Sequence, residues 1–210
     1  MNEINTVFDN NDKRIKYYEL LLEKDLDFIE DYDLPKGYHF EFYKDGDKDT
    51  WIEIEKSAKE FSSYDEGLNA WNRYYSDKEK ELFNRMVFVV NELGEKVATA
   101  TAFYDIQGKD KSGAGWLHWV AVKREYQGKG LSKPLIAYVL KVMKSKGYTH
   151  VKIPTQTNTW LAVKIYLDLG FKPISENAVN SYNGWCIIKT LTNHKTLDDF
   201  IYVDKTSIFD

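Results

Sequence analysis

The sequence predicts an α+β domain built on a mixed β-sheet, and three stretches carry that expectation. From Trp116 to Phe171 the chain reads strand, glycine turn, amphipathic helix, strand and helix. A crossover through a helix joins strands that run parallel. Met86 to Tyr104 reads as a hairpin with antiparallel arms. Between Thr50 and Arg85 apolar residues recur at helical spacing.

Taken in order, residues 1–35 form a charged arm packing on the domain of residues 36–210, the whole being a single domain. Within the arm, Arg14 to Lys24 holds Tyr17, Tyr18, Leu20, Leu21 and Leu22, a pattern that fits a short amphipathic helix or an added strand. Leu34-Pro35-Lys36-Gly37 is a turn signal. Tyr38 to Lys44 alternates aromatic and polar residues, as a half-buried strand does. Asp45-Gly46-Asp47 breaks it. Trp51, Ile52, Ile54, Ala58 and Phe61 mark one helix, and Tyr64 to about Arg85 a second, interrupted near Ser76-Asp77. Met86–Val90 and Lys96–Tyr104 are the hairpin arms, joined through Gly94. Ile106 to Gly115 has almost no apolar side chains and reads as a mobile loop.

Leu117 to Lys123 is the next strand. Leu131 to Lys146 is a helix with Leu131, Leu135, Val139, Leu140 and Met143 on one stripe, stopped by Gly147. Pro134 falls in its first turn, where a missing N–H costs little. His150 to Thr155 is a strand. Asn158 is placed to cap a helix from Thr159 to Leu169, with Gly170 as its left-handed stop. Phe171–Ile174 and Trp185–Leu191 are expected as an antiparallel strand pair, with a polar loop at residues 177–184.

Composition narrows the function. The net charge of −4 gives no general affinity for nucleic acid. The single cysteine, Cys186, excludes an intramolecular disulfide and fits a reducing compartment; its apolar surroundings predict a buried strand thiol. No apolar run reaches the roughly 18–20 residues needed to cross a bilayer, and the polar amino terminus has no signal-peptide character. A soluble, cytoplasmic protein without membrane attachment is expected. His39, His118, His150 and His194 form no ligand spacing, so no metal is expected.

The segment Val122 to Ser132 runs through two glycines into the long helix. Glycines before a helix start let an anion approach backbone N–H groups that already carry partial positive charge. A dinucleotide fingerprint would need glycine or alanine where Lys133 stands, and a Walker A loop is absent. The order of strand, Gln127-Gly128-Lys129-Gly130, long helix, strand, Asn158, helix, Tyr166 and Gly170-Phe171 resembles the GNAT superfamily of acyl-CoA-dependent N-acyltransferases. Its phosphate loop follows R/Q-x-x-G-x-G/A, and Ser132 takes the place of the final Gly/Ala here. The resemblance is strong over residues 86–174, extends by element order from Tyr38 to Leu191, and leaves residues 1–35 unmatched.

That resemblance implies a three-layer α/β/α domain. Its mixed, mostly antiparallel sheet would have about seven strands, splayed at the two central parallel ones. It implies acetyl-CoA as acyl donor in that splay. The pantetheine arm would lie along Val120, Ala121 and Val122, and the diphosphate on Gln127, Gly128, Lys129, Gly130, Leu131 and Ser132, with Asn158 nearby. The implied reaction is direct attack by a primary amine, with Tyr166 as the general acid that protonates the leaving thiolate. Tyr166 also continues an apolar helix stripe, so packing is an alternative role. His118 resembles a histidine used for proton removal in arylalkylamine acetyltransferases, and strand parity places it on the face of Val120 and Val122. A core histidine, with water carrying the proton, is equally open.

Trp71, Tyr75, Tyr104 and Trp116 are candidates to line a pocket for a small-molecule amine, although aromatics at helical spacing also build cores. Dimers are common in this superfamily, so a homodimer is compatible with the resemblance. The competing reading is a catalytically silent acyl-CoA-binding sensor or partner-docking module. A nucleotide-binding α/β protein is a third.

Overall fold

A computed structural model describes residues 11–174, 178–200 and 207–209. Within these the chain forms seven strands interleaved with helices, an α+β fold. It divides into two compact units, one of residues 25–151 and one of residues 1–24 with 152–210.

The first unit is layered. Its strands are β2 (Tyr38–Phe42), β3 (Met86–Asn91), β4 (Lys96–Phe103) and β5 (Gly115–Val122), adjacent in that order and antiparallel throughout. Strands β3 and β4 are buried along almost their whole length, because helices cover both faces. Helix α4 (Ser132–Ser145) packs on one face through a stripe including Leu135, Val139, Leu140 and Met143. Helices α1 (Asp47–Ser57) and α2 (Tyr64–Tyr74) belong to the other face, followed by the short α3 (Glu79–Leu82).

Local chemistry explains these helices. Asp47 and Asp49 sit in the first turn of α1, where the helix dipole favours negative charge. Ser63 caps α2 by accepting from the Glu66 N–H at 3.2 Å, while the Glu66 carboxylate accepts from the Ser62 N–H at 2.8 Å. Gly67 lets α1 and α2 come close: a Cβ there would lie 2.6 Å from Ile52 Cγ2. The core beneath them is aromatic, with Trp51 contacting Trp71 and Tyr75 at ring separations of 5.4 and 5.7 Å. The expected break near Ser76-Asp77 separates α2 from α3.

In the second unit β1 (Glu19–Asp25) lies between β6 (His150–Gln156) and β7 (Lys172–Pro173), with Leu22 opposite Pro173 in an antiparallel pair. Of the two forms open to residues 14–24, the strand is the one adopted, and Leu20 and Leu22 are its buried residues. Helix α5 (Trp160–Asp168) is followed by Gly170 at φ 85°, the left-handed stop expected of it.

Three expectations need correction here. Trp185–Leu191 is not a strand: it lies in the second half of α6 (Ala178–Thr192), and residues 178–184 of the segment read as a polar loop open that helix. Trp185, Cys186, Ile187 and Ile188 are all buried. A helix covered on all sides loses its periodicity, and its apolar run then looks like a buried strand. Cys186 is accordingly a buried helix thiol, its pKa pushed up by that burial. Asn158 does not cap α5. It lies in a 3-10 turn at Thr157–Thr159, its amide donates to Asn11 Oδ1 at 2.9 Å, and Thr159 precedes the helix.

Candidate functional site

Within the first unit, β5 passes into α4 through a short 3-10 turn (Arg124–Tyr126) and the two glycines. Gly128 and Gly130 adopt φ of 74° and 79°, a region that costs other residues about 1–2 kcal/mol. Leu131 precedes the helix without a side-chain cap, and the first turn of α4 contains no acidic residue. Among the described residues no side-chain cap occupies this helix start, an arrangement suited to an anion.

The loop is braced from below. Tyr126 donates its hydroxyl proton to Glu95 Oε2 at 2.7 Å and accepts from Asn91 Nδ2 at 3.0 Å. Lys123 Nζ reaches Glu95 Oε1 at 2.7 Å. Asn91 Oδ1 also accepts from the Leu93 and Glu95 N–H groups, both at 3.0 Å, so the β3–β4 turn and the loop share one network. Lys123 first and Tyr126 second hold the Glu95 carboxyl below its usual range. Gln127 donates its side-chain amide to the Val122 carbonyl at 3.0 Å. Lys129 Nζ lies 4.4 Å from the centre of the Tyr126 ring. Neither Glu95 nor Asn91 was singled out by the sequence, since a partner some 30 residues away leaves no local spacing signal.

Strand β5 carries a bulge. Thr101 pairs with His118 and Thr99 with Ala121, so β5 spends one residue more than β4 across this interval, and Trp119 takes φ 50°. The extra residue reverses the expected parity. His118 shares a face with Ala121, against the α1–α2 layer, while Val122 shares the opposite face with Leu117. His118 touches Tyr74, Phe103 and Trp116 at ring separations of 5.7, 5.6 and 6.5 Å. Burial pushes its pKa down to about 4, so it is neutral at pH 7.

The aromatic candidates divide by environment. Trp71 and Tyr75 lie inside the core, Trp71 also stacking on Tyr43 at 5.8 Å. Tyr104 is partly buried, donates its hydroxyl to Glu81 at 2.8 Å, and stacks on Phe103 at 4.3 Å. Trp116 is also partly buried, and its indole N–H donates to Asp110 at 2.9 Å, tying down the loop before β5. In the second unit Tyr166 is 5% exposed and packs on Phe171 with ring centres 5.9 Å apart. The described helices include none long and apolar enough to cross a membrane.

A bulged strand thus passes through two left-handed glycines into a helix without a side-chain cap, a backbone arrangement suited to a phosphate-type anion. The acetyltransferase (GNAT) family model matches residues 29–171, more than half of the chain, and the protein belongs to that family. Over 87 residues it is 33% identical to N-acetyltransferase 8B of Rattus norvegicus, covering 40% of this chain and 39% of that one. The GCN5-related N-acetyltransferase of Sphaerobacter thermophilus has a similar fold, with a TM-score of 0.59 at 19% identity over 77% of this chain and 50% of that one. A GNAT-family acetyltransferase from Colwellia psychrerythraea gives 0.57 at 14% identity, over 78% and 55% of the two chains. The chain thus spans about half the length of these solved relatives and about two fifths of the curated one.

Proposed function

We propose that the protein is an N-acetyltransferase moving the acetyl group of acetyl-CoA to a primary amine by direct attack in a ternary complex. The observation that carries this reading is the loop at Gly128 and Gly130 ahead of the uncapped α4, in a chain of the acetyltransferase family. The backbone from Gln127 to Ser132 holds the donor's diphosphate, with Lys129 beside it. Backbone N–H groups around the bulge, at Val120 to Val122, are the donors suited to the thioester oxygen as it gains charge. One such fixed donor contributes about 3–4 kcal/mol to the transition state.

The amine nitrogen attacks the thioester carbon, the C–S bond then breaks, and the products are an amide and the free thiol of CoA. Tyr166 supplies the proton that the departing thiolate takes up, a role in which a phenol is well matched to a thiol. His118 at about 4 is a weak acceptor for an ammonium proton, which favours removal of that proton through water. In this reading His118 acts as a neutral hydrogen-bonding group.

Tyr166→Phe tests the assignment. The variant is expected to turn over about a hundredfold more slowly, with acetyl-CoA affinity by calorimetry within twofold of wild type. Unchanged CoA release in a thiol assay would make Tyr166 a packing residue. Tight acetyl-CoA binding without CoA release across a broad amine panel would instead identify a silent acyl-CoA-binding module.

A further inference from the structure

The loop between β5 and α4 runs between two anchors, and only one of them is packed. At its far end Leu131 is buried where α4 begins. At its near end none of Arg124, Glu125 and Tyr126 is buried, so apolar packing does not fix this turn. The tip between the anchors is open. A Cβ on Gly128 would meet no atom within 4 Å among the described residues, and one on Gly130 would meet only Pro35 Cγ, at 3.8 Å. Where the tip sits therefore depends on polar contacts at the near anchor.

The main chain supplies two of these contacts. The Lys123 N–H makes the last sheet bond, to the Val97 carbonyl at 2.9 Å, and the Arg124 N–H donates to Ser57 Oγ at 3.0 Å. The side chains converge on the Glu95 carboxylate. Its Oε1 accepts from Lys123 at 2.7 Å, and its Oε2 accepts from Tyr126 at 2.7 Å and from Asn91 at 3.2 Å. A negative group beneath an anion seat repels the ligand, so the charge of Glu95 does not itself favour binding. Its two oxygens instead hold Lys123, which enters the turn, and Tyr126, which leaves it. Such charge-assisted bonds are about twice as strong as neutral ones. The β3–β4 turn does not need the carboxylate. The Leu93 and Glu95 N–H groups donate to Asn91 Oδ1, and the Asn91 N–H donates to the Glu95 carbonyl, all at 3.0 Å. Removing the carboxylate thus leaves its own turn bonded and releases the loop.

We propose that Glu95 is a positioning residue for the donor's phosphate loop, acting through Lys123 and Tyr126 on the backbone of residues 127–130. The effect on acetyl-CoA rests on the acetyl-transfer reading, whereas the effect on the loop's own order does not.

The test uses the full chain with two readouts: acetyl-CoA affinity by calorimetry, and amide hydrogen exchange of residues 127–132 without ligand. Glu95→Ala is expected to bind acetyl-CoA about tenfold more weakly and to exchange faster across 127–132, while melting within a few degrees of wild type. Glu95→Gln keeps an acceptor for the Tyr126 hydroxyl and should stay within about threefold of wild type. The double variant Glu95→Ala with Tyr126→Phe should bind no more weakly than Glu95→Ala, because the hydroxyl has already lost its carboxylate. Lys123→Met with Tyr126→Phe removes the same contacts from the loop side and should match Glu95→Ala, which keeps the test open if that variant does not fold. Unchanged exchange at 127–132 overturns the proposal. So do unchanged affinity for acetyl-CoA, a glutamine variant as weak as the alanine one, or losses that add in the double variant. A wild type that does not bind acetyl-CoA overturns the acetyl-transfer reading separately. The exchange comparison then decides alone, with faster exchange in Glu95→Ala upholding the positioning role.

Discussion

At the loop before α4, Tyr126, Glu95, Asn91 and Lys123 satisfy one another, and Gln127 closes on the Val122 carbonyl. Beneath α1, in the same unit, Glu55, Tyr75, Thr101 and His118 present buried polar atoms with no partner among the described residues. The contrast separates two ways of placing polar groups. The loop spends its side chains on holding its own shape and leaves its backbone N–H groups as donors, the form a preformed anion seat takes. The core layer leaves its side-chain polar atoms without partners among the described residues, and the fold carries their desolvation cost. The first arrangement leaves donors facing outward, and the second holds its polar groups inside the fold, where their protonation states carry the cost of burial.

The largest expected effect lies on the uncommitted side. The folded pKa of His118, about 4, is below its ordinary value of 6.5, so the unfolded chain binds the proton more readily. The stability conferred by a neutral His118 is complete above pH 6.5 and is lost as pH falls through the window down to about 4. By pH 4 the loss is about 3 kcal/mol. Urea denaturation at pH 7 and pH 4 should show that drop in wild type and a correspondingly smaller one in His118→Gln. Equal slopes would place the ring in a solvated setting and weaken the contrast.

On the committed side, Gly130→Asp attacks the seat directly. It puts a side chain at φ 79° and a negative charge at a helix start. Strain of about 1–2 kcal/mol and up to about 1 kcal/mol of unfavourable charge–dipole energy predict roughly a hundredfold weaker acetyl-CoA binding. Acetyl-CoA affinity unchanged in this variant would show that the diphosphate does not rest on the loop.

How far each region could be read from the sequence follows the same division. The conformation of the loop was legible because Gly128 and Gly130 announce left-handed backbone directly. The hairpin, α1, α2, α4 and α5 were legible through periodicity. Helix α6 was not, since Trp185 to Ile188 are buried on every side and erase the period. Parity at His118 failed for a different reason: one inserted residue at Trp119 reverses which face each neighbour takes, and no spacing rule registers a bulge held by a non-glycine residue. The polar layer was out of reach because Glu55, Thr101 and His118 meet only through the pairing of α1, β4 and β5.

The smallest effect expected is at Tyr126→Phe, and its smallness is informative. The change deletes one hydroxyl that gives to Glu95 and takes from Asn91, yet Glu95 keeps Lys123 and Asn91 keeps the two turn N–H groups. The ring under Lys129 stays. A single hydrogen bond within a redundant network is worth about 1 kcal/mol, so the melting temperature should fall by a few degrees and acetyl-CoA affinity by less than about fivefold. Tyr126→Ala removes the ring as well and should cost several times more affinity, because Lys129 then loses the surface that orders it. If the phenylalanine variant binds acetyl-CoA as poorly as the alanine one, the hydroxyl network and not the ring holds the loop. The seat would then depend on one bond, and its preparation would be closer to that of the core layer than the geometry indicates.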